Sequence, residues 1–200
     1  PAEGPGSFNA RMRGKKGWPY EGGHRVPFFV RYPAGGLTDA VDVGTLTSYV
    51  DFMPTMLELC GVEVPEGRSL HGKSLVPLMK DRGAELNPEW SQRVMVSDTQ
   101  RVARPVKWRK SAVMRGRWRL VNGHELFDLG SDPGQKIDVA ASEPGIVVDL
   151  RREYERWWDL VSRQLERDTP IPVGRDEKTV VLTTHDLRNE DCHVAWNQRQ

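Results

Sequence analysis

The chain has 200 residues, enough for one medium domain or two small ones with a real core. Its 29 Lys and Arg nearly balance 28 Asp and Glu, and a formal charge of +1 gives no general pull toward nucleic acid or a membrane surface. No apolar run approaches the roughly 18 residues of a membrane span, no signal peptide is visible, and two cysteines, Cys60 and Cys192, make no disulfide framework.

Residues 1–18 are rich in Gly, Pro and cations and read as loop. Val26–Tyr32 (VPFFVRY) is an aromatic and β-branched run closed by Pro33, Gly35 and Gly36. Its nearly continuous apolar character predicts a buried strand covered on both faces, as in an α/β sheet. The stretch SYVDFMPTMLELCG predicts a helix capped by Asp51, with Pro54 in its first turn and Gly61 just past its end. Cys60 lies in that helical pattern and reads as a small buried hydrophobe. A short apolar helix follows near Leu75–Met79.

After Gly83 the pattern changes to short strand-like pieces: RVMVSD, KSAVMRGRWRLVNG and HELFDL. Asn122-Gly123 between two such runs is a strong hairpin signal, and Arg115-Gly116-Arg117 offers a second turn, so an antiparallel meander is expected. Val147, Leu150, Tyr154, Trp157, Trp158, Val161 and Leu165 step by three or four. That spacing predicts a long helix, with Ser142 as its cap and Pro144 in its first turn, whose apolar stripe covers one face of the meander. Residues 169–200 form a tail with a strand candidate at Thr179–Thr184.

Few constellations carry chemistry. His185, Cys192 and His193 match no common zinc spacing and lack an evident fourth ligand. Lys107, Trp108, Arg109, Lys110, Arg115, Arg117, Trp118 and Arg119 interleave cations with indoles, a composition that can stack nucleic-acid bases or sugars and neutralise anions, although a plain solvated face has the same pattern and is favoured. Lys15 and Lys16 sit in a loop just before the Val26–Tyr32 run. Loops at strand ends are where α/β sheets bind ligands, and a lysine there holds an anionic oxygen as a point charge. Gly22 and Gly23 suit a tight turn after it, and Glu21 has Arg25 and Lys16 as candidate partners.

These stretches resemble known motifs. GKKGWPYEGGHRVP, starting at Gly14, is similar to the G-K-G-x-x-Y-E-G-G-x-R-V-P segment of the sulfatase family, within the alkaline-phosphatase-like superfamily. YVDFMPTMLELCGVEVPEGRSLHGKSLVPLM resembles the family's V-D-x-x-P-T-x-L-x-L-x-G run and its following G-x-S-L-x-P-L. HELFDLGSDPGQKIDVAA resembles its E-L-Y-D-L-x-x-D-P-x-E-x-x-N-L-A signature. The three occur in order over residues 13–165, and the tail resembles a C-terminal extension of some bacterial members.

The resemblance implies an α/β remnant of a catalytic domain in residues 1–85, an α+β C-terminal domain in 86–168 with a four-stranded antiparallel sheet and a packed long helix, and a C-terminal extension in 169–200. It implies hydrolysis of sulfate esters, aryl sulfates or sulfated glycans, by a formylglycine nucleophile made from a C/S-x-P-x-R motif, with calcium polarising the sulfate. Lys16, four places before Tyr20, matches the family lysine that contacts the sulfate ester, with Lys15 an extra cation beside it. Its implied role is to stabilise charge on the transferring group, with proton donation to the leaving oxygen as an addition. His24, His185 and Trp196 are candidate substrate-rim residues.

The departures matter as much. Cys60 is followed by Gly61-Val62, Cys192 by His193-Val194, and Ser131-Asp132-Pro133-Gly134-Gln135 lacks the arginine. The family's acidic calcium ligands lie before the lysine loop, and none is recognisable here. The expectation is therefore a C-terminal part that is inactive alone, carries no cofactor of its own, and works with an N-terminal catalytic domain supplying calcium and formylglycine. A periplasmic or secreted location follows from the family alone. The competing readings are part of a phosphate mono- or diester hydrolase of the same superfamily, and a non-catalytic anionic-glycan-binding module using Trp108 and Trp118.

Overall fold

The computed structural model describes residues 8–81, 83–100, 105–163, 171–173 and 180–182. In chain order the helices are α1 (Glu21–His24), α2 (Phe52–Leu59), α3 (Val76–Lys80), α4 (Pro88–Ser91) and α5 (Pro144–Ser162). The strands are β1 (Val94–Asp98), β2 (Ser111–Arg115), β3 (Trp118–Val121), β4 (Glu125–Asp128), β5 (Ile171–Val173) and β6 (Val180–Leu182). Two compact units emerge: Pro1–His24 with Val96–Val113 and Leu120–Gln200, and Arg25–Met95 with Met114–Arg119. The described residues 8–24 thus cluster with the sheet and the long helix. No helix among the described residues is long and apolar enough to cross a membrane.

The meander forms a four-stranded antiparallel sheet in the order β1-β2-β3-β4. Its third hairpin turns on Asn122 (φ 51°) and Gly123 (φ 75°), the paired positive angles that an Asn-Gly turn supplies. A His124 N–H to Val121 carbonyl bond of 3.1 Å closes it. Side chains alternate between faces along each strand. Ala112, Val121 and Phe127 share one face, and there they form a buried cluster with Tyr20. Ser111, Val113, Leu120 and Leu126 alternate with them on the other face, and all are fully buried.

That other face is the one α5 covers. Val147, Leu150 and Tyr154 are its buried residues, spaced three and four apart. Arg151 Nε donates to the Gly123 carbonyl at 2.7 Å, and the Tyr154 hydroxyl accepts the Trp108 N–H at 2.9 Å. Pro144 occupies the first turn, but the cap position is Glu143 rather than Ser142, whose hydroxyl donates to the Val139 carbonyl at 3.0 Å. The sheet unit is therefore three layers: α5, the sheet, and the loop bearing Tyr20. Strands β5 and β6 pair antiparallel, Ile171 opposite Leu182, and β6 falls inside the Thr179–Thr184 candidate.

In the second unit, α2 follows a 3-10 turn at Tyr49–Asp51 and ends at Gly61 with φ 65°. Cys60 is exposed there, not buried as its place in the helical pattern predicts. Leu75, Leu78, Ala84 and Trp90 form the unit's apolar cluster. Asp51 does not cap α2 with its side chain. Its carboxylate is fully buried and accepts the backbone N–H groups of Ser48 (2.8 Å) and Lys73 (2.9 Å) and both Nη atoms of Arg93 (2.9 and 2.5 Å). Burial opposes its ionisation, but the guanidinium and the two N–H groups prevail and hold the carboxyl below its ordinary range. The Thr55 hydroxyl continues the network, donating to the Asp51 carbonyl at 2.6 Å and accepting the Leu75 N–H at 2.9 Å.

The buried strand expected at Val26–Tyr32 is not formed. Residues 25–31 have no ladder partner, and Tyr32 makes a single antiparallel bridge with Leu37. Val26 is 69% exposed and Phe29 91%. The run has the composition of a two-sided buried strand, but no described strand pairs with it and no described layer covers it.

Candidate functional site

The lysine loop is built by short-range closure and then tied to the sheet. The Met12 N–H donates to Asn9 O (3.1 Å) and the Trp18 N–H to Lys15 O (2.9 Å), making consecutive turns. Ala10 and Arg11 take positive φ of 53° and 61° in the first turn and Gly17 takes 83° in the second, with Gly14 at 88° between them. Gly22 N–H then reaches back to Arg13 O at 2.8 Å. The loop thus closes on α1.

Gly22 and Gly23 lie inside this helical turn, and neither is among the positive-φ residues. What they supply is room. A Cβ on Gly22 would sit 2.6 Å from Gly14 O and 2.8 Å from Arg13 O, and one on Gly23 would run into the Trp18 carbonyl and lie 2.8 Å from Lys15 O. The glycine pair is a close-approach surface for the loop's carbonyls, not the site of a special backbone angle.

Below the loop, Tyr20 is buried against Phe127, ring centroids 6.1 Å apart, nearly edge-on. Its hydroxyl donates to Glu125 Oε2 at 2.6 Å, and the Arg13 guanidinium lies 4.0 Å over its ring. Burial and this bond to a carboxylate push the Tyr20 hydroxyl up to about 12, so it stays a donor. Arg13 also reaches Glu125 Oε1 at 3.4 Å and the Gln135 carbonyl at 3.2 Å. Gln135 is fully buried, and its Oε1 accepts the Glu21 N–H at 2.8 Å. From the end of β1, the Thr99 hydroxyl lies 3.1 Å from the Gly17 carbonyl and equally close to that of Lys110.

On this frame Lys15 and Lys16 are exposed, and no described residue pairs with either amine. His24 ends α1 with its side chain only 16% exposed and one ring nitrogen 3.4 Å from Glu21 Oε1. His185 and Trp196, the other two rim candidates, lie outside the described residues. Lys16 and His24 thus share one loop, with Lys16, like Lys15, exposed and His24 largely buried. Sequence reasoning missed Arg13, Thr99, Glu125 and Gln135, whose roles depend on partners up to 122 residues away. The order of the motifs, lysine loop and then E-L-F-D-L-G-S-D-P-G-Q, was the available signal.

Trp108, the indole of the glycan-module reading, is occupied internally. It stacks on Tyr154 with centroids 3.7 Å apart, donates its indole N–H to Glu155 at 3.2 Å, and lies so close to Gly123 that a Cβ there would meet the ring at 2.8 Å. Lys107 pairs with the same Glu155. Among the described residues no three His, Cys, Asp or Glu side chains converge as a metal-ligand set.

The chain is 26% identical to arylsulfatase K of Xenopus laevis over 203 residues, covering 90% of the chain and 35% of that protein. It is 25% identical to the N-acetylglucosamine-6-O-sulfatase of Bacteroides thetaiotaomicron over 190 residues, covering 88% of the chain and 31% of that protein. A solved structure connected with the metabolism of multiple glycosaminoglycans by Bacteroides thetaiotaomicron shares its fold, with a TM-score of 0.53, 21% identity, and coverage of 79% of this chain and 32% of that one. The chain thus spans about a third of the length of these relatives. The family model for the C-terminal part of N-sulphoglucosamine sulphohydrolase matches residues 13–153, from Arg13 of the lysine loop into α5, and the chain belongs to that sulfatase family.

Proposed function

We propose that this chain is the C-terminal part of a sulfate ester hydrolase in which Lys16 contacts the ester and stabilises the charge that develops on the transferring sulfuryl oxygens. The observation that carries the reading is the family match beginning at Arg13, which takes in a loop whose lysine is held exposed on a buried, tied-down base. A solvated ammonium on a fixed backbone is a suitable point charge for a sulfate oxygen. Proton donation to the leaving oxygen is a further role for the same group.

The remaining machinery belongs to the rest of the protein. Formylglycine and calcium, which the family uses as nucleophile and polarising ion, come from an N-terminal catalytic part. The chain alone neither turns over substrate nor holds catalytic calcium. The exposed Val26–Tyr32 run is the surface that this catalytic part covers. A sulfated glycan fits the kinship to the N-acetylglucosamine-6-O-sulfatase, and His24, His185 and Trp196 are proposed for the substrate rim.

The test is turnover of an aryl sulfate by the complete protein and by residues 1–200 alone. Lys16→Ala in the complete protein is expected to lower kcat by about 10²–10³-fold, the scale for losing one preorganised charge-stabilising donor. The isolated chain is expected to show no turnover. Activity of the isolated chain that Lys16→Ala abolishes would overturn the division of labour.

A further inference from the structure

We propose that Thr99, Glu125 and Gln135, acting with Arg13, are positioning residues for Lys16, so that the sheet unit sets the backbone from which the lysine amine reaches out. The proposal rests on the reading of Lys16 given above. No described residue holds the Lys16 side chain, so what the sheet unit can fix is the backbone from which the flexible amine reaches out. That backbone is bracketed by ties from three separate places in the sheet unit. On the C-terminal side, the Gly17 carbonyl lies 3.1 Å from the Thr99 hydroxyl, just past β1. Further on, Tyr20 donates to Glu125 of β4 at 2.6 Å, and the Glu21 N–H donates to Gln135 Oε1, after β4, at 2.8 Å. On the N-terminal side, Arg13 reaches the Gln135 carbonyl at 3.2 Å and the Glu125 carboxylate at 3.4 Å.

Two features set these ties apart from ordinary packing. Gln135 holds a positive φ of 52°, a backbone state that a glutamine adopts at some cost. It is fully buried, yet among the described residues its Nε2 has no partner. The side chain is kept in place by its acceptor alone, and that acceptor serves the loop. The Tyr20 hydroxyl likewise spends its single proton on Glu125 rather than on a backbone carbonyl of its own loop. A partly buried hydrogen bond to a carboxylate is among the stronger neutral-donor ties, so the loop is held at its base and left free at the lysine.

The experiment uses the complete protein with the variants Gln135→Met, Thr99→Val, Thr99→Ser and Lys16→Ala. Gln135→Met keeps length and apolar volume but removes the acceptor. Thr99→Val removes only the hydroxyl, and Thr99→Ser restores it. Backbone hydrogen exchange is compared between residues 13–23 and the strands at 111–128, and kcat and KM are measured with an aryl sulfate. Exchange at Glu21, Gly22 and Gly23 is expected to quicken at least about tenfold in Gln135→Met, with the strands unchanged. kcat is expected to fall about 10–100-fold with little change in KM, because a small misplacement of a charge-stabilising group is felt mainly in the transition state. Thr99→Val should shift kcat in the same direction, and Thr99→Ser should recover it.

Loop exchange that stays at the wild-type rate in Gln135→Met overturns the proposal. So does a loosened loop with unchanged kcat in a protein where Lys16→Ala is impaired. If Gln135→Met does not fold, the Thr99 pair decides: equal kcat in Thr99→Val and Thr99→Ser overturns it. Unchanged turnover in Lys16→Ala overturns the sulfate-contact reading and the catalytic half of this one, whatever the exchange rates show.

Discussion

Each carboxylate oxygen of Asp51 takes one backbone N–H and one guanidinium N–H: Oδ2 from Ser48 and Arg93, Oδ1 from Lys73 and Arg93. A buried pair of this kind adds little over apolar packing, but removing one partner leaves the other charge stranded. Asp51→Ala leaves the buried Arg93 unpaired, with two backbone N–H groups unmet, and is expected to cost about 3–5 kcal/mol in urea unfolding. The pH dependence has a definite sign. Burial works against the Asp51 charge, yet its hydrogen bonds and Arg93 hold the folded-state pKa below the ordinary value. Its contribution is therefore complete above the unfolded aspartate value of about 3.9 and is lost as pH falls through the lower folded value. Asp51→Asn should flatten the acid limb of stability below about pH 4, and superimposable limbs for the two proteins would contradict this. The residue was visible in the V-D-x-x-P-T pattern as a helix cap. Its true role was not, because the decisive partner, Arg93, lies 42 positions away and only the folded chain brings it near.

At the scale of elements, legibility followed how local the cause was. The α5 helix was readable because its apolar stripe repeats with the helical period, and the β3–β4 hairpin because Asn-Gly accepts the positive angles that turn needs. The Val26–Tyr32 strand failed because a continuous apolar run states only that both faces need covering; pairing depends on neighbours the run does not encode. In α1 the glycine pair was noticed, but for the wrong physical reason, since a close carbonyl approach is a tertiary fact. A comparison of two glycines tests this. Gly23→Ala drives a methyl into the Trp18 carbonyl and is expected to cost about 1–3 kcal/mol, as overpacking does. Gly145→Ala, in the first turn of α5 with nothing within 4 Å, is expected to gain about 0.5–1 kcal/mol from the lost flexibility of the unfolded chain. Denaturant midpoints that move in the same direction for both would show that conformation, not space, governs Gly23.

At the scale of the whole molecule, the sheet has two faces and two different covers. One is α5, the next element after β4 in sequence and easily read as its partner. The other is the lysine loop, whose Tyr20 completes the cluster of Ala112, Val121 and Phe127 from about a hundred residues upstream. A boundary drawn at residue 85 would separate that cover from the sheet, and a chain beginning at Arg25 makes the same cut by deletion. In such a chain Phe127 loses its edge-on tyrosine, Glu125 loses both its hydroxyl and its guanidinium partner, and the buried Gln135 loses the N–H it accepts. Removing a buried tyrosine side chain on its own costs roughly 3–5 kcal/mol on the scale of large-to-small aromatic substitutions, a large share of the 5–15 kcal/mol that holds an ordinary domain together. The deletion is therefore expected to lower the near-UV circular dichroism transition of the sheet unit by many degrees, and Tyr20→Ala in the intact chain to reproduce most of the loss. If the chain beginning at Arg25 melts at the same temperature as residues 1–200, the lysine loop is a passenger on the sheet, and neither the three-layer account nor the positioning of Lys16 by that sheet survives.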